Sequence, residues 1–439
     1  MLKQFGALSI LLTLLSATPG SAQPAPSPAG APAAAAQPST QPSTQPRAAS
    51  QAAAVQAVDA LAVAAASGDR SAIARLLYLA QRGDAAAQAR VGWLYYTGEV
   101  VRRNFAIAFE WIAKAANGGD TQAMNALGHL HQEGLGTAKD RAAARVWYAK
   151  AAGRGYAPAA NNLGLLLLQG ERDKPADLSA ALTALKQAAA QGHAMAMYNL
   201  GRLYDEGRGV AEDADEARRW YELAGEKQLP AATRSLGRLA EAGRGVAQDF
   251  DRARALYEQA RAQGDVEAVA RIGLLHQNGR GVARDAAKAF ALYREAAGAG
   301  NALGQVLLGW CYQAGDGTTR DLAAALQWFG RAAEQGYPAG NNALGYMYAE
   351  GLGIKKDESR AAALYREAAD QGYVEAMFAL GMMTEEGRGT ARDVPEAFRL
   401  YQAAAEKGHG EARRILERAG LATRVEDLLD PLKRRGATR

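Results

Sequence analysis

Residues 194–229 read AMAMYNLGRLYDEGRGVAEDADEARRWYELAGEKQL. Ala196, Leu200, Leu203 and Tyr204 stand at i, i+4, i+7 and i+8. That spacing predicts a helix over 194–206 with one buried stripe. Gly207-Arg208-Gly209 follows, and glycine takes the left-handed cap conformation at little cost. Asp213 fits the N-cap of a second helix, where a carboxylate accepts amide protons that the first turn leaves free. That second helix is expected to bury Ala217, Trp220, Tyr221 and Ala224. It ends at Gln228, where comparable positions hold Gly264, Gly300 and Gly336. The segment is a helical hairpin.

The hairpin recurs. A glycine preceded by a hydrophobic residue returns at Gly92, Gly128, Gly164, Gly201, Gly237, Gly273, Gly309, Gly345 and Gly381, in seven steps of 36 residues and one of 37. Trp111, Trp147, Ala184, Trp220, Leu256, Leu292, Trp328, Leu364 and Leu400 keep the same beat. So do Asn104, Asp140, Asp177, Asp213, Asp249, Asp285, Asp321, Asp357 and Asp393. Three columns in phase over nine units define a repeat array. Pro158, Pro230 and Pro338 open first helices, where a missing amide is harmless. Small residues let helix axes approach, and the tryptophan column is expected to fill the gap between layers. One hairpin cannot bury its own apolar face, so neighbours must stack into an all-α, right-handed α-solenoid with a superhelical groove.

The pattern in Ala196–Gly209, Asp213, Ala217, Trp220-Tyr221 and Ala224, seen again in Ala376–Gly389, Asp393, Ala397 and Tyr401, resembles the Sel-one-like repeat family of tetratricopeptide-like solenoids. The resemblance covers 85–408. It implies a protein–protein scaffold, often in bacterial envelope or secretion systems, and no catalytic activity. It also implies that first helices line the concave surface. Two units depart from the pattern. Repeat one carries Val100 where the second loop glycine belongs. Repeat three holds the extra residue, has Arg172 and Pro175 in its loop, and lacks aromatic residues at Ala184-Leu185; a local change of superhelix angle is expected there.

Composition bounds the rest. The chain has 439 residues, 51 Lys+Arg against 46 Asp+Glu, and one cysteine. A mean hydropathy of −0.25 excludes a polytopic membrane protein. The small positive charge is spread along the chain and gives no nucleic-acid footprint. The lone Cys311 excludes an internal disulfide framework and a cysteine-based zinc site.

Met1-Leu2-Lys3, an apolar run from Phe5 to Leu15 and Gly20-Ser21-Ala22 read as a signal peptide, residues 1–22, directing the chain to the periplasm or the exterior. Residues 23–50, rich in Pro, Ala, Ser, Thr and Gln, read as a disordered linker. Residues 51–84 are expected to form N-terminal capping helices. Residues 409–439 are expected to hold a capping helix and a basic tail, with a capping box at Thr423 and Glu426. Membrane contact is peripheral at most.

No chemistry is legible. His131 and His276 occupy a tyrosine column, held elsewhere by Tyr95, Tyr204, Tyr312 and Tyr348. His193 and His409 follow the glycine that ends a hairpin. His129 has no such column, but His129 and His131 sit on opposite sides of a helix and cannot readily share a metal. Cys311 replaces a core leucine. The Gly-x-Gly loops recur in seven of nine units, which a helix cap explains and a phosphate loop does not, since no strand precedes them and no Gly-Lys-Ser/Thr follows. No enzyme, cofactor or metal is expected, a hydrolase being the remaining alternative to a scaffold.

Two variable rows remain. The position after the repeat glycine reads Trp93, His129, Leu165, Arg202, Arg238, Leu274, Trp310, Tyr346, Met382. The position three before it reads Ala89, Asn125, Asn161, Tyr198, Arg234, Ala270, Val306, Asn342, Phe378. Aromatic rings, arginines and asparagines carry much interface energy. The candidate partner-binding residues are therefore Trp93, Asn125, His129, Asn161, Tyr198, Arg202, Arg234, Arg238, Trp310, Asn342, Tyr346 and Phe378. The arginine trio would favour an acidic segment, and Trp310, Tyr346 and Phe378 an apolar one. The partner is expected to be an envelope protein or extended peptide, with a cell-wall or exopolysaccharide glycan as the alternative.

Overall fold

A computed structural model describes residues 45–170, 176–418 and 420. Residues 1–44, 171–175, 419 and 421–439 lie outside it. The signal-peptide reading, most of the linker, the loop of repeat three and the basic tail with its capping box fall there. Every regular element described is a helix. The chain falls into two compact units, one up to Ala196 and one from Met197 onward.

Before the repeats come helices Gln45–Ala66 and Arg70–Gln81. The first begins six residues inside the segment read as linker, at 45–50. Within each unit, first helices pack on their own second helices, and second helices pack on the first helix that follows. Helix Gly410–Arg418 packs against the last second helix, Val394–Glu406.

The loop between the two helices is built the same way each time. Asp213 Oδ1 accepts the Glu216 amide at 2.9 Å, and the Asp213 amide donates to the Tyr204 carbonyl at 2.9 Å. Asn104, Asp140, Asp249, Asp285, Asp321, Asp357 and Asp393 cap their helices likewise. The two loop glycines have different duties. Gly243 caps the first helix at φ 68°. Gly245, at φ 64°, passes so close to the preceding repeat that a Cβ would lie 2.7 Å from the Ala214 carbonyl.

The residue that fills the gap between layers is one position beyond the tryptophan column. Twenty residues after the repeat glycine in eight of nine repeats, and twenty-one in repeat three, stand Ile112, Tyr148, Leu185, Tyr221, Tyr257, Tyr293, Phe329, Tyr365 and Tyr401, all buried. Their side chains lie over the glycine. A Cβ on Gly201 would come 2.6 Å from the Tyr221 ring, and one on Gly273 2.5 Å from that of Tyr293. The tryptophans expected there are only half-buried. Trp111, Trp147 and Trp328 instead carry a cation from the following turn, Lys114, Lys150 and Arg331, at 4.5, 4.2 and 4.5 Å from the ring centroid. The reason is angular. Successive helical residues point about 100° apart, and the later position bisects the two buried alanines of its helix, as Tyr221 does between Ala217 and Ala224.

Five of the buried tyrosines are fixed at the hydroxyl. Tyr148, Tyr221, Tyr257, Tyr293 and Tyr401 donate to Gln132 Oε1, Asp205 Oδ2, Glu241 Oε2, Gln277 Oε1 and Glu385 Oε2, at 3.1, 3.2, 2.7, 2.7 and 2.7 Å. Each acceptor is sixteen residues earlier, on the repeat's own first helix.

The glycine contact is graded. At Gly345 a Cβ would still stand 3.1 Å from Tyr365. Alanine gains about 1 kcal/mol over glycine in a helix interior, whereas overpacking costs about 1–3 kcal/mol. Gly345→Ala should therefore be nearly neutral in thermal unfolding, and Gly273→Ala clearly destabilising. Equal melting temperatures for the two variants would contradict the contact.

Candidate functional site

The row after the repeat glycine and the row three before it are not equivalent. In the first row Arg202, Trp310 and Tyr346 are exposed, and Trp93, His129, Leu165, Arg238, Leu274 and Met382 are half-buried. In the second, Ala89, Asn161, Ala270 and Val306 are buried, and the rest half-buried. The second row faces the seam with the next repeat. Arg234 Nε reaches Asp265 at 3.0 Å, and Phe378 stacks on His409 at 4.2 Å, both across 31 residues. Tyr198 tilts against Tyr221 at 5.7 Å. Asn161 is 6 % exposed; its neighbour Asn162 takes the outward place and donates to Asn125 Oδ1 at 2.9 Å. Asn342 is half-buried.

The arginine trio is already occupied by the protein's own carboxylates. Arg202 bonds Glu206 at 2.7 Å. Arg234, with a side chain 14 % exposed, is held by Asp265 and by Glu267 at 3.0 Å. Arg238 and Arg244 converge on Asp205 at 2.7 and 2.8 Å, and the Asp205 side chain is 3 % exposed. These guanidiniums neutralise internal acids before any partner arrives, so the expected pull on an acidic segment is largely cancelled.

Two other places stand out. In the second unit, Trp310 and Tyr346 come from adjacent repeats, with ring centroids 6.5 Å apart. They are 37 % and 39 % exposed. Trp310 also rests edge-on against Phe329 at 5.0 Å. In the first unit, the first helices of repeats one to three, with Ile112 and Tyr148 behind them, line an open cavity of about 230 Å³. Trp93, His129 and Leu165 line it from the predicted row, together with Asn125. Tyr96, Gln132, Glu133, Asn162 and Gln169 complete the polar wall.

The cavity follows from a break in the tyrosine column. Ile112, which lines the cavity, replaces tyrosine in repeat one, so a ring that would occupy part of this space is missing. Tyr96, which stands where other repeats keep a hydroxyl acceptor, turns instead toward His129, with Oη 3.4 Å from Nε2. Trp93 meets Tyr96 edge to face at 5.0 Å. Burial holds the His129 imidazole below its usual pKa, against a smaller upward pull from Glu133, so it is neutral at pH 7.

The remaining candidates are structural. His193 and His409 accept the Ala196 and Ala412 amides through Nδ1 at 3.2 and 3.1 Å, acting as N-caps. Aspartates and one asparagine do the same at Asp84, Asp120, Asp265 and Asn301. His131 packs edge-on against Phe109 at 5.2 Å, and His276 is buried. The Cys311 thiol is buried, and burial pushes its pKa up to about 11, which leaves it a poor nucleophile. Among the described residues no group of three His, Cys, Asp or Glu side chains is placed to hold a metal ion.

A run of nine Sel1 repeats matches residues 85–409, unit by unit. The chain belongs to the Sel1-repeat family, whose members are commonly protein-interaction modules. Among solved structures, a Sel1 repeat protein from Oxalobacter formigenes is 33% identical over 52% of this chain and 94% of its own, with a TM-score of 0.44. The protective antigen c5321 of uropathogenic Escherichia coli, which displays an SLR fold, is 28% identical over 79% of this chain and 90% of its own, with a TM-score of 0.38. No curated protein matches the sequence.

One gap in the hydroxyl ladder gives a test. Phe329 replaces the tyrosine of repeat seven, and Gln313 Oε1, sixteen residues earlier, is buried without a hydrogen-bond partner. Phe329→Tyr should satisfy it and stabilise the protein by about 0.5–1.5 kcal/mol in denaturant unfolding. A destabilised variant would contradict the ladder.

Proposed function

We propose that the chain is an exported, non-catalytic scaffold that holds a protein or extended peptide on the face formed by its first helices. The observation that carries this reading is the Trp310–Tyr346 pair: two large rings left more than a third exposed, side by side, on successive repeats. Solvent-exposed tryptophan and tyrosine in register offer large area at small entropic cost, which is how hot spots are built. Around them, the columns that hold the repeat together are filled by buried residues such as Phe329 and Tyr365, so this variable row is the part free to differ between scaffolds. The basic–apolar–small order of residues 1–22 supports export. No described helix is long and apolar enough to cross a membrane.

Photo-crosslinking in living cells tests both parts of the proposal. A photo-reactive side chain at Tyr346 should yield a discrete adduct with an envelope protein, and Trp310→Ala should abolish it without shifting the melting temperature. The same probe at Arg145, exposed on a second helix, should yield none. Adducts at both positions, or adducts only with cytoplasmic proteins, would overturn the reading.

A further inference from the structure

We propose that the cavity between the first three repeats is a binding site for one pyranose ring of a neutral glycan. The argument is independent of the Trp310–Tyr346 surface, which lies in the other unit.

Charge comes first. The lining holds one carboxyl side chain, Glu133, and no Lys or Arg. Two neighbouring guanidiniums are already bonded within the protein: Arg103 donates to the Thr97 carbonyl at 2.9 Å, and Arg141 to the Leu166 carbonyl and to the lining residue Gln169, at Oε1, at 3.3 and 3.1 Å. His129 is held neutral by burial. A phosphate or carboxylate ligand would meet no cation in the lining. A Lys or Arg side chain would meet one carboxylate with two guanidiniums behind the rim. The cavity therefore suits an uncharged polar guest.

The shape of the lining groups comes next. Asn125, Asn162, Gln132 and Gln169 are planar carboxamides whose oxygens each accept one hydrogen bond inside the protein, from Asn162, Asn161, Tyr148 and Arg141, and each oxygen keeps a second lone pair for a ligand. Hydroxyls on a sugar ring can donate to these lone pairs, each hydroxyl both giving and taking a proton. Glu133 adds a carboxylate, one oxygen of which accepts from Gln132 Nε2 at 3.2 Å. The Asn162–Asn125 bond, at 2.9 Å across one repeat step, holds two of the carboxamides in a fixed orientation. Preorganisation of this kind lowers the ordering cost of a polar ligand.

The aromatic wall completes the site. Trp93 and Tyr96 are braced edge to face at 5.0 Å, and Tyr96 is braced in turn by Phe105 at 5.6 Å. An aromatic face carries negative charge density, and the axial C–H groups of a pyranose carry the complementary partial positive charge. A volume of about 230 Å³ accepts one such ring and leaves its neighbours in the chain outside. A mixed aromatic and carboxamide lining with few charges is the pattern of a small-molecule site. The tryptophan column of the second helices lacks it, because those rings are covered by Lys114, Lys150 and Arg331.

Chitotriose, cellotriose and maltotriose titrated into the full chain, followed by saturation-transfer NMR, test the assignment. At least one should bind with a dissociation constant of about 1 mM or tighter, the level a single-ring subsite supports. Trp93→Ala and Asn162→Ala should each weaken it by about tenfold or more, and Trp310→Ala should leave it unchanged. Asn162→Ala keeps the test meaningful if Trp93→Ala proves unstable. Three results would overturn the proposal: no binding by any of the three sugars at about 10 mM, binding indifferent to both cavity variants, or preferential binding of N-acetyl-phenylalanine amide or N-acetyl-arginine amide, which would assign the cavity to a peptide side chain.

Discussion

The structure rests on a ring lying on a glycine. Nine times, a first helix offers a residue without a side chain, and its partner helix lays a tyrosine, phenylalanine, leucine or isoleucine into the space. The contact fixes how closely the two helices approach. Buried alanines on the second helix, such as Ala217 and Ala224 flanking Tyr221, extend the close approach along the axis. A helix pair of this kind buries only one of its faces, and the repeat must be stacked to bury the other. The N-cap carboxylates and loop glycines then set the turn, and the tyrosine hydroxyls tie the ring column back to the first helix.

The same contact bears on where the array leaves space. In repeats four to six the column is tyrosine with its acceptor present, and arginines of the variable row bond the protein's own acids. Where the column breaks, space and unspent groups appear. Ile112 lines the cavity of the first unit where a ring would otherwise stand. Phe329 leaves Gln313 unpartnered next to the exposed Trp310. Departures from the repeat thus coincide with the two places proposed above as binding sites.

Much of this was legible in the sequence. Three columns in phase define the hairpins, their caps and their stacking, because periodicity reports which residues share a face. Helix starts at Pro158, Pro230 and Pro338 and N-caps at the aspartate column follow from local chemistry alone, and each is found where expected. The choice between adjacent columns was not legible. Trp220 and Tyr221 are both large, and a 100° rotation decides which is buried. Nor were pairings across repeats: Arg234 with Asp265 and Phe378 with His409 are each 31 residues apart, a separation that no single column reveals. The cavity could have been anticipated by reading Ile112 against Tyr96 as a broken pair, which requires knowing that the two positions meet.

A double-mutant cycle on Gly273 and Tyr293 tests the ring-on-glycine contact most directly. Gly273→Ala should destabilise the protein in a tyrosine background and much less in a Tyr293→Ala background, because the added methyl would then enter vacated space; the coupling should reach about 1 kcal/mol or more. Strictly additive effects in chemical unfolding would contradict the account.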